Sequence, residues 1–233
     1  MATPGNHEFG RIGDSDRRRL SVHWQPQFAF PQNGPEGLRE SVYWFDFQGT
    51  RIVSLNSNEK IEEQAQWLDE ILTDNPNLWT VLTFHHPMYS AKAGRDNPHL
   101  RAVWQPIIDK HQVDIVLQGH DHTYARSQLM TEDVNLLTEL SQRAPHTGTV
   151  YVVSVSGPKM YELGRRPFMR RAAEDTQLYQ IIEIDGVQLV YEARTALGEL
   201  YDGFILRKDD GSRRTLIEQM PGSAESRRPE NER

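Results

Sequence analysis

Asp114-Ile115-Val116-Leu117-Gln118-Gly119-His120-Asp121-His122-Thr123-Tyr124-Ala125-Arg126 joins an apolar run to a polar loop within thirteen residues. Ile115 to Leu117 reads as a buried strand, and Gly119 punctuates its end. Two histidines follow with one residue between them. On extended backbone, positions i and i+2 face the same side, so the two imidazoles are expected to converge on neighbouring points. The carboxyl end of a strand is also where open α/β sheets place their sites. A lone His-x-His is a weak signal, and its weight depends on partners elsewhere.

Two partners are present. Trp79-Thr80-Val81-Leu82-Thr83-Phe84 reads as a second buried strand, ending in His85-His86-Pro87, and Gly5-Asn6-His7-Glu8 stands near residue 1. Any one of these histidines is as readily a packed core or surface residue as a ligand. Three clusters with His or Asn beside strand-to-loop junctions are much harder to attribute to packing.

The set resembles the calcineurin-like metallophosphoesterases, and within them the purple-acid-phosphatase-like branch. Gly5 to Glu8, Phe84 to Pro87 and Gly119 to His122 followed by Thr-Tyr-Ala-Arg carry the resemblance, which spans about Pro4 to Arg207. It implies a four-layer α/β/β/α sandwich, an α/β fold. It implies hydrolysis of a phosphate ester, small molecule or nucleotide, by a hydroxide activated between two metal ions (Fe, Mn or Zn). Asn6, His85 and His120 would ligate one metal and His122 the other. His7 would contact the phosphate or act as general acid, while Asp121, Glu8 and Tyr124 would support the ligands. His86 is the less certain member of its pair. In the plant branch a further histidine in the loop after His-x-Pro contacts substrate. Lys92 and Arg95 stand in that loop here and are the candidate substrate contacts.

The resemblance also implies an Asp-x-His or Asp-x-Gly strand end and a Gly-Asp with a bridging aspartate ahead of Gly-Asn-His-Glu. The chain has neither. It is therefore expected to be the carboxyl-terminal part of a phosphoesterase, with at most one well-formed metal site and inactive on its own. The alternative is a remnant that binds a single metal or a protein partner without turnover. Monoester and diester substrates are not separated.

Composition bounds the other classes. At 233 residues the chain can bury a sizeable core and is most simply one domain. A net charge of −7 and a pI near 5.7 argue against broad affinity for nucleic acid or anionic membrane. Without cysteine there is neither a disulfide framework nor a thiolate metal site, so ligands must be His, Asn, Asp or Glu. No apolar run reaches 18 residues, so no transmembrane span is expected. The first residues show neither a basic nor an apolar signal-peptide region.

Residues 1–208 are expected to form the catalytic domain and 209–233 a polar tail, unstructured from about Pro221. A short helix is expected near Asp14 to Leu20. Strands are expected at 41–47 and 51–56, then a helix over 59–73 with Ile61, Ala65, Leu68 and Leu72 on one face. Asn97-Pro98 opens a second helix, carrying Leu100, Val103, Trp104, Ile107 and Ile108, with a kink at Pro106 and His111 at its end. Residues 130–146 read as polar turns, and 149–157 as a strong strand. Residues 177–185 and 187–193 read as a hairpin, and 201–208 as a strand. The arginines of 165–171 suggest a loop over the site. The coarse pattern is βαβα followed by antiparallel strands.

Overall fold

The computed structural model describes residues 1–13, 18–131, 147–209 and 214–229. A short antiparallel pair, β1 (Phe9–Arg11) and β2 (Arg18–Leu20), is followed by one helical turn, α1 (Trp24–Gln27). Then come β3 (Tyr43–Phe47), β4 (Thr50–Ser54), α2 (Ile61–Thr73), β5 (Trp79–Thr83), α3 (Pro98–Lys110) and β6 (Ile115–Gln118). β7 (Tyr124–Met130), β8 (Thr149–Val153) and β9 (Met169–Ala173) complete a seven-stranded sheet of order β3-β4-β5-β6-β8-β7-β9. Its centre, β4-β5-β6-β8, is parallel, and the outer strands pair antiparallel. β10 (Leu178–Asp185), β11 (Gln188–Thr195), β12 (Leu200–Lys208) and β13 (Arg214–Glu218) form a second, antiparallel sheet.

Two apolar layers hold these parts together. On one face of the large sheet, Leu68 and Leu72 of α2 and Leu100, Trp104 and Ile108 of α3 pack against Val53, Leu82 and Val116. On the other face, Trp79, Val81, Ile115, Val150 and Val152 pack against Leu189, Tyr191, Phe204 and Leu206 of the second sheet. Strands buried on both faces lose the polar alternation of an exposed sheet, which is why β5, β6 and β8 read as continuous apolar runs. The fold is a mixed α/β sandwich, with three layers among the described residues.

Several expectations need correction. Arg18–Leu20, placed in a helix by the sequence reading, is a strand paired with Phe9–Arg11, while residues 14–17 lie outside the described residues. α3 runs from Pro98 to Lys110 with Pro106 inside it, as the sequence reading has it. β7 was missed between the site loop and the polar stretch, whose residues 132–146 lie outside the described residues. β9 replaces part of the arginine-rich loop. Arg171 there is buried because Nη1 donates to the Ser223 carbonyl (2.8 Å) and Nε to the Tyr201 carbonyl (3.2 Å). The tail also supplies β13, and the Glu174 and Ala172 amides donate to the Ser226 carbonyl and the Glu225 carboxylate.

The topology positions the loops of interest. β4, β5 and β6 are parallel neighbours, so the turns after Ser54, Thr83 and Gln118 emerge at one edge of the sheet. Gln64, fully buried on α2, ties down the first of them. Its Oε1 accepts the Asn56 amide at 2.8 Å, and its Nε2 donates to the carbonyls of Asn56 and Glu59, both at 2.8 Å.

Candidate metal centre

The amino-terminal segment reaches that edge by polar contacts. Asn58 Nδ2 donates to the Pro4 carbonyl at 2.9 Å, and the hydroxyls of Thr3 and Ser54 are 2.8 Å apart. Gly5-Asn6-His7-Glu8 then turns in one 3-10 helical step, with the Glu8 carboxylate accepting the Gly5 amide at 2.7 Å. This lays Gly5 against the His85 ring, where an added Cβ would stand 2.9 Å from His85 Cε1 and 2.9 Å from Glu8 Oε2. Gly5→Ala is therefore expected to push His85 aside and weaken metal binding about tenfold, a cost of roughly 1.4 kcal/mol. Calorimetric titration of the variant checks it, and unchanged affinity would show that the ring adapts freely.

Three donor atoms converge here. Asn6 Oδ1 is 2.8 Å from His85 Nε2 and 3.0 Å from His120 Nδ1, and the two ring nitrogens are 3.0 Å apart. No distribution of protons satisfies all three contacts. One ring N–H can serve a neighbour, but then a ring lone pair faces the carbonyl lone pairs; two N–H groups would face one another. A cation among the three atoms resolves every contact. Burial, reinforced by the neighbouring histidines, lowers the His85 pKa to about 3, and burial lowers that of His120 to about 4. Both rings are thus neutral near pH 7, with a lone pair to offer. Imidazole with an amide oxygen is a donor set for Zn, Mn or Fe, so the residues fit a metal ion.

His86 joins the group, offering a ring nitrogen within 4.8 Å of the ligating atoms of His85 and His120. Ser57 Oγ orients it, accepting the His86 amide at 2.9 Å and standing 2.9 Å from Nδ1. A cleft of about 340 Å³, lined by Ser57, His86, Asp96, Asn97 and His99, opens beside this ring.

The Gly119-His120-Asp121-His122 turn is not extended. His120 (φ 69°) and His122 (φ 49°) both lie in the left-handed region, which is costly for non-glycine residues. Asp121 holds the turn. Its fully buried carboxylate accepts from Ser90 Oγ (2.6 Å), the amides of Ala91 (2.7 Å) and Lys92 (3.2 Å), and Arg95 Nη1 (2.7 Å). The turn leaves the His122 ring outside the His85-His86-His120 group, though near enough for its charge to act on both His85 and His120. His122 Nδ1 donates to the Lys159 carbonyl at 2.9 Å and the ring stacks on Tyr161, leaving its lone pair on Nε2.

Of the residues singled out from sequence, the structure brings Asn6, His85 and His120 together, with His122 outside that triangle. His7 is exposed but close enough for its charge to act on His85. Arg95 is held on Asp121, and the Lys92 ammonium lies 4.8 Å from the centre of the Tyr161 ring. Ser57, Lys159 and Tyr161 were missed. Only the adjacency of His85 and His86 in sequence hinted at a second imidazole here.

Residues 1–124 match the family model described as Calcineurin-like phosphoesterase. Purple acid phosphatase 21 of Arabidopsis thaliana is 30% identical over 139 residues, covering 54% of this chain and 30% of that protein. An uncharacterized protein of Mycobacterium tuberculosis is 29% identical over 148 residues, covering 54% of this chain and 27% of its own length. Among solved structures, a purple acid phosphatase from yellow lupin (Lupinus luteus) seeds superposes with a TM-score of 0.68 at 22% identity, covering 90% of this chain and 40% of that one. The chain thus spans less than a third of the length of these two curated relatives.

Proposed function

Since the chain belongs to the calcineurin-like phosphoesterases, we propose that its histidine cluster is part of the centre of a metal-dependent phosphoester hydrolase. The observation that carries this reading is the convergence of Asn6 Oδ1, His85 Nε2 and His120 Nδ1 to 2.8–3.0 Å. These three residues would hold one ion. When bound, it supplies charge neutralisation at the phosphoryl oxygens and lowers the pKa of water. His122, with its lone pair on Nε2, is the ligand available to a second ion.

The chain's own residues do the rest. His7, exposed and near enough for its charge to act on His85, would hydrogen-bond a phosphate oxygen and pass a proton to the leaving oxygen. Asp121 and Ser57 hold the turn and the His86 ring in place. The cleft beside His86 is the room for the ester's leaving group.

A second reading, a single-metal site without turnover, is favoured by the donor set. Among the described residues, the converging group holds three histidines and no carboxylate. The 233-residue chain is accordingly expected to bind one equivalent of Mn(II) or Zn(II) and to hydrolyse nitrophenyl phosphate far below the usual range of enzyme turnover. Metal titration with a parallel hydrolysis assay tests both parts. Absence of metal binding would sink the metal reading, whereas two equivalents with rapid turnover would sink the single-site reading.

A further inference from the structure

Tyr161 lies outside every assignment above, yet an unusual amount of charge is gathered on it. Its ring stacks on His122, centroids 4.6 Å apart with 23° between planes. Lys92 Nζ is 4.8 Å, Lys159 Nζ 5.3 Å and Arg95 Cζ 5.7 Å from the ring centre. Backbone pairing fixes the arrangement. The Tyr161 amide donates to the His122 carbonyl (3.1 Å), the Ala93 amide to the Glu162 carbonyl (3.1 Å), and the Gly164 amide to the Ala91 carbonyl (2.8 Å).

The three cations are not equivalent. Arg95 is neutralised by Asp121. Lys92 and Lys159 have no carboxylate partner among the described residues. Glu162, next in sequence, acts on Arg228 instead. Two like charges on one ring repel each other, and an aromatic face offsets only a part of that. An anion drawn to these ammonium groups would relieve it.

We propose that Lys92 and Lys159, spaced by Tyr161, form a second anion subsite beside the histidine cluster, which selects phosphate esters carrying a further phosphoryl group. This rests on the reading of the cluster as a phosphoester centre. The reacting phosphoryl sits at the histidines and the second one at the lysines. The substrate class is then a diphosphate, free or esterified, in preference to a simple monoester.

Equilibrium binding of orthophosphate, pyrophosphate and ADP to the Mn(II)-loaded chain tests this. In the Lys92→Met, Lys159→Met double variant, pyrophosphate and ADP are expected to weaken about tenfold and orthophosphate by less than about threefold, because only the ligands with a second phosphoryl group lose charge-assisted contacts to the half-buried Lys92 and the exposed Lys159. Equal losses for all three ligands, or no loss, would overturn the subsite. A loss confined to ADP would also overturn it, since the base and not the second phosphoryl group would then be recognised. Mn(II) titration of the unaltered chain reads the metal centre separately, so failure of the metal reading shows there and not in the ratio of anion affinities.

Discussion

Asp202→Ala is expected to destabilise the chain by about 3–5 kcal/mol, the cost of stranding a buried charge. Arg126 and Asp202 are both fully buried between the two sheets. The pairing is bidentate, Nε to Oδ2 at 2.7 Å and Nη2 to Oδ1 at 2.9 Å. Tyr124 donates to the same carboxylate at 2.6 Å, and Glu218 of β13 takes a second contact from Nη2 at 2.8 Å. Removing the carboxylate leaves the guanidinium with the partly exposed Glu218 and a long contact from Nη1 to the Ser127 carbonyl (3.4 Å), and the Tyr124 hydroxyl with Tyr191 at 3.2 Å. Urea unfolding gives the measurement. A cost below about 1 kcal/mol, the worth of a surface pair, would mean that water reaches the gap. The double variant Arg126→Met, Asp202→Leu is expected to recover much of the loss, because removing both charges removes the desolvation cost as well. Tyr124 and Arg126 begin β7, directly after the His120-Asp121-His122 turn. The same variant should therefore loosen the turn and reduce metal affinity along with stability.

The central strands were legible because they are buried on both faces. Val81 and Leu82, or Ile115 and Val116, have no solvent side to alternate toward, so an apolar run ending at a polar cluster marks both the strand and the edge where the site forms. His85 and His120 stood out for the related reason that they follow such strands, whereas Asn6, with no strand ahead of it among the described residues, was picked out by the family resemblance. The turn at His120 was not. Its left-handed backbone answers to Asp121, whose four donors come from residues 26–31 positions earlier, and no local pattern encodes that. β9 was hidden by Arg170 and Arg171, whose charges are met by Glu218 and Ser223 from a segment some 50 residues away. Tyr161 and Lys159 failed to stand out because a loop has no periodicity. Their significance lies in what they touch.

His85→Ala and His120→Ala are each expected to reduce affinity for Mn(II) or Zn(II) by on the order of a hundredfold or more, and His122→Ala by less than about tenfold. Structural sites of about four ligands bind with roughly 10–16 kcal/mol, so each ligand accounts for several kcal/mol and a hundredfold is a lower bound for losing one. The asymmetry follows from geometry. His85 Nε2 and His120 Nδ1 form two corners of the triangle completed by Asn6, whereas His122 spends Nδ1 on the Lys159 carbonyl and its ring face on Tyr161. Competition against a chromophoric chelator at pH 7 separates the three variants, each checked for an unchanged unfolding midpoint. The neutral state of His85 and His120 matters to the choice of pH. Their pKa values of about 3 and about 4 lie below the ordinary 6.5, so protons do not compete with metal in the folded chain near neutrality. The same depression makes the metal-free fold lose stability as pH falls from about 6.5 toward 4, since the unfolded chain then takes up protons that the folded one refuses. An equal loss from His122→Ala would mean that its ring leaves Tyr161 and closes on the same ion. The anion subsite would then lose one wall whenever metal binds, and metal and diphosphate would compete for one conformation of the loop.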